Sequence, residues 1–160
     1  MRFSSPRFDG THSLKCELAT EVLRSSGSLR LQVTGWSMLP SVWPGDTLVI
    51  ERATCNAVSE GDIVLFGRDQ RLFVHRVVTR PSAQAKEILT RGDAMTAADP
   101  PVSGDELLGK VSFILRNGRR VKPSRSLRFS GRAIAALARN SQIAARVAVG
   151  VHNMRQTSLT

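Results

Sequence analysis

The chain has 160 residues, enough for one domain with a real core, and no stretch is low-complexity or repeated at a fixed period. Its net charge of +10 is unevenly placed: residues 1–115 hold 13 Lys/Arg against 13 Asp/Glu, while residues 116–160 hold 10 Lys/Arg and no acid. Cys16 and Cys55 are far apart and near no second metal ligand at a useful spacing, which argues against a disulfide framework; with no uncharged apolar window of about 18 residues, no spanning helix is predicted.

Residues 1–7 carry charges with no apolar core behind them, so no secretory signal is expected and the expected location is the cytoplasm. Thr11 or Ser13 is placed to cap a helix in which Leu14, Leu18 and Val22 share one face, with Gly27 at its exit. Such a helix would pack as a lid or brace. The period then changes to two, with Leu29, Leu31 and Val33 alternating with Arg30, Gln32 and Thr34 in a half-buried strand.

That strand runs into Gly35-Trp36-Ser37-Met38-Leu39-Pro40, and a Pro44-Gly45-Asp46 turn leads into the strand Thr47-Leu48-Val49-Ile50-Glu51. A loop over 53–61 follows. Strands are predicted at 62–66 and 72–78, joined as a hairpin through Gly67-Arg68-Asp69-Gln70-Arg71, and at 87–90, ending at Arg91-Gly92-Asp93. Residues 94–106 are expected to be loop, since Pro100-Pro101 disfavours regular structure. A last strand covers 107–115, with a turn at Asn117-Gly118.

Short strands at close spacing behind one helix predict a mainly β fold, a small coiled or barrel-like sheet domain over residues 11–118. Residues 119–160 read as a basic, partly helical extension. There Arg128, Arg132, Arg139 and Arg146 share one narrow arc at 100° per residue, and Phe129, Ala133, Ala136, Leu137, Ile143 and Val147 cover an adjoining face. Contact with an anionic membrane surface, or docking, is placed ahead of nucleic acid, because Phe129 is the tail's one aromatic for stacking on bases.

Serine is a weak nucleophile until a base takes its proton and a third group orients that base. Of the histidines, His12 and His152 lie toward the ends, whereas His75 sits in a predicted strand on the framework that carries Ser37. Asp93 and Asp99 both follow in the next loop, and either could accept the imidazole N–H. On spacing alone, Ser37 is equally a turn residue and His75 a packed histidine.

Ser37-Met38-x-Pro40, Pro44-Gly45-Asp46, Gly61-Asp62-Ile63-Val64, Val74-His75-Arg76-Val77-Val78, Thr90-Arg91-Gly92-Asp93 and Leu107-Leu108-Gly109-Lys110-Val111 occur in unbroken order over about residues 28–115. Together they resemble the successive boxes of type I signal peptidases, whose clan also holds the self-cleaving SOS repressors. Most bacterial members of that clan use a lysine base. The matching position here is His75, as in the endoplasmic-reticulum and archaeal type.

The resemblance implies a serine endopeptidase needing no metal or cofactor. Ser37 would be the nucleophile, His75 the general base and Asp99 the orienting carboxylate, with Asp93 structural or supporting. Gly35, Trp36 and Met38 would form the oxyanion region and site wall, Trp36 and Met38 as an apolar rim or as packing. The family often carries a serine at the position of Gly35, and loss of such an oxyanion donor can cost about 10²–10³ in rate.

The implied substrate is a peptide or protein with small residues before the cut, a pattern met weakly by Ala136-Leu137-Ala138 in the tail. The expected absence of a spanning helix departs from classical signal peptidases and favours a precursor reached from the cytoplasm or at a membrane surface. Two other classes stand beside this one. One is a self-cleaving repressor-like module, although thirty residues with one helix cannot supply a helix-turn-helix domain; the other is a non-catalytic binding module whose tail meets nucleic acid or membrane.

Overall fold

A computed structural model describes residues 10–79 and 86–126 of the chain. Among the described residues one α-helix, α1 (Gly10–Ser26), precedes eight strands, and one 3-10 turn covers Cys55–Ala57. The strands are β1 (Ser28–Gln32), β2 (Thr47–Arg52), β3 (Ile63–Arg68), β4 (Arg71–Thr79), β5 (Glu87–Arg91), β6 (Val102–Ser103), β7 (Leu107–Arg116) and β8 (Arg119–Val121). All pairings are antiparallel, in the order β1-β2-β7-β3-β4-β5-β6, with β8 folded back on β7. The mainly β fold expected from the strand spacing is the fold observed.

The sheet is apolar on both faces at its centre. In β3, Ile63 and Leu65 point into one core with Leu48, Ile50, Val111, Ile114, Leu23 and Met38. Val64 and Phe66 point the other way, into a second core with Val58, Val77, Ile88, Val102 and Leu107. Alternate residues of an extended strand face opposite sides, so a run of four apolar residues serves two cores at once. Val42 and Met38 tie the serine-bearing loop to the first core, and Leu39 packs separately against Trp43 and Ala94; Val42, Met38 and Leu39 are each nearly or fully buried. Burial of that kind makes the loop part of the core rather than a surface excursion.

Several local expectations are corrected. The helix starts at Gly10, so Thr11 and Ser13 lie inside it, and the Ser13 hydroxyl donates to Glu17 at 3.1 Å instead of capping. Its buried residues are Ala19 and Leu23, while Leu14 and Leu18 are each 55% exposed. The face that packs is therefore the stripe beside the apolar one read from the sequence. The 67–71 connection narrows to Asp69-Gln70, both at positive φ (49° and 61°), a two-residue turn whose twist suits a hairpin.

The stretch 94–106 is not wholly loop: Val102 and Ser103 pair with Ile88 and Glu87 immediately after the prolines. Asn117 (φ 51°) and Gly118 (φ 73°) make the expected turn, and it carries β8 back along β7. The basic stretch predicted helical, including Arg128 and Ala136-Leu137-Ala138, lies outside the described residues, as does His152. Among the described residues no helix is long and apolar enough to cross a membrane.

Candidate active site

Ser37 leaves β1 by way of Gly35 and Trp36 and is held from both sides. Its carbonyl accepts from Ala94 N–H at 2.9 Å, joining the serine loop to the loop after β5. Leu39 N–H returns to Trp36 O at 3.1 Å and Val42 N–H to Met38 O at 3.0 Å, which closes the turn around the serine. Farther along, the Asp46 carboxylate accepts from Trp43 N–H and takes both Nε and Nη2 of Arg116, at 2.9 and 2.6 Å. That pair fixes the Pro44-Gly45-Asp46 turn against the end of β7.

His75 stands on β4, 6% exposed, with its ring against Phe66 and Phe73 at centroid distances of 5.9 and 6.1 Å. Phe66 and Phe73 stack on one another at 5.3 Å, so the imidazole rests on a preformed aromatic wall. Its Nε2 lies 3.1 Å from Ser37 Oγ and its Nδ1 lies 2.6 Å from Asp99 Oδ2. An ionised carboxylate only accepts, so the proton belongs on Nδ1 and Nε2 is left to accept from the serine hydroxyl. The order Ser37 Oγ–H to His75 Nε2, and His75 Nδ1–H to Asp99, is that of an activated nucleophile.

The two aspartates left open by the sequence are separated by the alternation of β4. His75 and its neighbour Arg76 point to opposite sides of the strand. Arg76 engages Asp93 through two parallel bonds, Nε to Oδ1 at 2.7 Å and Nη2 to Oδ2 at 2.8 Å, in a pair less than 10% exposed on either side chain. Ser41 Oγ also donates to Asp93, and Arg76 Nη2 donates to Ser41 at 2.9 Å. Both Asp93 oxygens are thus occupied, and Asp99 is the carboxylate that meets His75.

Thr90 was not singled out as a site residue from the sequence. It is fully buried on β5; its hydroxyl donates to Asp99 Oδ2 at 2.6 Å, and its carbonyl accepts from Asp99 N–H at 2.8 Å. The signal that could have found it was its place in the Thr90-Arg91-Gly92-Asp93 box. A register shift between Val77 and Thr79 in the β4–β5 ladder sits directly beside it, a bulge of the kind that re-aims side chains near a site. Arg68 anchors the same loop farther on, donating to Pro100 O, Pro101 O and both Glu106 oxygens. That pairing, with Ser103 N–H, holds the Glu106 carboxyl down at about 2.

Ser37 and His75 open on a cleft of about 790 Å³. Its walls are α1, through Leu18 and Val22, the strand β1, and residues 71–75 of β4. Met38 contributes to its floor and is only 2% exposed, so it packs; Trp36 is 37% exposed and outside the cleft. A Cβ on Gly35 would meet nothing within 4 Å, so that position is open space beside the serine. Among the described residues the Ser37 backbone N–H donates to no other group.

Residues 5–100, more than half of the 160, match the family model described as Peptidase S24-like. No curated protein matches the chain.

Proposed function

Since the chain belongs to the Peptidase S24-like family of serine-type peptidases, we propose that it is an endopeptidase with a histidine base, Ser37 being the nucleophile, His75 the general base and Asp99 the orienting carboxylate. The observation that carries this reading is the continuous hydrogen-bond chain from Ser37 Oγ through the His75 ring to Asp99, at 3.1 and 2.6 Å.

In the proposed cycle Ser37 Oγ attacks the peptide carbonyl carbon while its proton passes to His75 Nε2. Asp99 holds the ring by Nδ1 and stabilises the imidazolium as it forms. The tetrahedral oxyanion takes the Ser37 N–H; with Gly35 in place of a hydroxyl-bearing residue, the second donor has to come from elsewhere, including the substrate or water. Collapse breaks the C–N bond, and His75 returns the proton to the leaving amine. Water then enters, gives its proton to His75 and hydrolyses the serine ester, restoring Ser37.

An extended substrate fits the open strand edges of the cleft. β3 covers β4 from Arg71 to Arg76, but on the other side β5 pairs only with Arg76, Val77 and Thr79. Among the described residues, backbone groups along 72–75 have no second strand neighbour, which suits strand addition by a peptide. The small side chains expected before the cut suit a bond that must lie close against Ser37 and Gly35. The basic extension supports a separable role in bringing the enzyme to an anionic membrane. Truncation at residue 126 is expected to weaken binding to phosphatidylserine vesicles in a salt-dependent way, whereas equal binding rejects that role and loss of DNA binding alone favours nucleic acid.

The enzymatic reading is tested by incubating a proteome-derived peptide pool with the full chain and with Ser37→Ala and His75→Ala. Cleavage by the parent alone is expected. Equal cleavage by Ser37→Ala rejects the mechanism.

A further inference from the structure

The cleft runs a definite way from the serine. At one end Leu23 of α1 packs in the core with Met38, beside Ser37. At the other, Cys16 lies over the β3–β4 hairpin, where a Cβ on Gly67 would stand 2.9 Å from its sulfur. The helix therefore lies alongside β4, both running from the hairpin toward the serine. Between them the lining is apolar, with Leu18, Val22, Leu31 and Leu72.

The hairpin end is different. Lys15 and Arg71 line the cleft there, both exposed, and no carboxylate lines it among the described residues. Neither cation is in an ion pair with a described residue. Of the acids near that end, Glu17 accepts from Ser13, Glu21 from Arg24 and Glu106 from Arg68, while Asp69, in the turn two residues before Arg71, forms no ion pair with it. Arg71 is four residues from His75 on one strand, roughly 13 Å at about 3.3 Å per residue, the span of the same number of residues in an extended peptide.

We infer that Lys15 and Arg71 form a carboxylate-recognition subsite, so that the substrate of this peptidase carries Asp or Glu about four residues from the bond attacked by Ser37, beyond an apolar stretch. This rests on the assignment of Ser37 as nucleophile. Desolvation by the apolar walls strengthens the pairing relative to open solvent, while the exposure of both cations keeps it modest. The expected selectivity for Glu over Gln at that position is about five- to tenfold in kcat/KM.

The test is cleavage-site profiling of a proteome-derived peptide pool by the full chain, its Ser37→Ala form, and the double variant Lys15→Glu/Arg71→Glu. Thermal melting establishes that the double variant folds, and a Lys15→Gln/Arg71→Gln form replaces it if it does not. The parent is expected to enrich Asp and Glu three to five residues from the cut. The charge-reversed form is expected to enrich Lys and Arg there, and the neutral form to lose the acidic preference. Ser37-dependent cleavage with no charge preference at those positions overturns the subsite and leaves the peptidase reading intact. Cleavage that is absent, or that persists in Ser37→Ala, overturns both.

Discussion

Gly92 lies directly under Ser37. A Cβ built on it would stand 2.6 Å from the Ser37 carbonyl oxygen and 3.1 Å from the Ser37 Cβ, with Met95 Cγ at 2.7 Å. The oxygen it would strike is the one that accepts from Ala94 N–H. Backbone cannot yield as a side-chain tip can, so Gly92→Ala is expected to push the serine loop away from His75. The predicted result is loss of about tenfold or more in kcat, with a stability cost of about 1–3 kcal/mol from overpacking. Unchanged kcat in a folded Gly92→Ala protein would mean that the serine's position tolerates such a shift.

Thr90 acts on the site only through Asp99. Replacing it with Val keeps the shape and removes the hydroxyl that donates to Asp99 Oδ2 at 2.6 Å. Thr90→Val is expected to lower kcat about tenfold with little change in KM, and to move the acid limb of the pH–rate profile. Thr90→Ser, which restores the donor, is expected to recover most of the rate. A loss confined to thermal stability, with the profile unmoved, would make Thr90 a packing residue.

The two aspartates are predicted to fail in different ways. Asp99→Asn leaves the fold and removes the charge facing the imidazolium, so a drop of about 10²–10⁴ in kcat is expected with nearly the parental melting temperature. Asp93→Asn leaves the buried Arg76 guanidinium without its carboxylate partner. Its expected cost is about 3–5 kcal/mol of stability. Paired kinetics and denaturant unfolding of both variants check this, and a large stability loss in Asp99→Asn with normal activity would reverse the assignment.

Glu106 supplies an acid-sensitive clamp on the loop that carries Asp99. Hydrogen bonds from Arg68 and from Ser103 N–H lower its pKa from 4.5 to about 2. A folded-state value below the unfolded one means that the stabilisation is fully present above 4.5 and is lost as pH falls toward 2. The pair is partly solvated, with side chains 20% and 26% exposed, so the contribution is about 1 kcal/mol. Glu106→Gln should therefore be less stable than the parent at neutral pH, and the gap should close on acidification through that window. A constant gap from pH 6 to pH 2 would contradict the linkage.

Much of this was legible in the chain because strands announce themselves by period. β2, β3, β4, β5 and β7 coincide with apolar runs or alternations, and the turns at Asp69-Gln70 and Asn117-Gly118 lie where the polar breaks are. β6 and β8 escaped because two or three residues are too few to display alternation. The packed face of α1 differs from its apolar stripe because a stripe beside an open cleft has the same periodicity as one in a core. Spacing brought Ser37, His75 and the two aspartates into view without dividing the aspartates between partners; only the resemblance to signal peptidases pointed to Asp99. That division depends on Arg76 turning one way and His75 the other, and on Thr90 reaching across from β5.

Covalent acylation of Ser37, with His75 taking its proton, is the step on which the proposed function rests. It is tested most directly by mass spectrometry of the intact protein after acid-quenched reaction with a cleavable peptide, followed by mapping of the adduct, in the parent, Ser37→Ala and His75→Ala. An acyl group is expected on Ser37, with none in Ser37→Ala and none accumulating in His75→Ala. An adduct on any other residue, or peptide turnover that persists in Ser37→Ala, would contradict it.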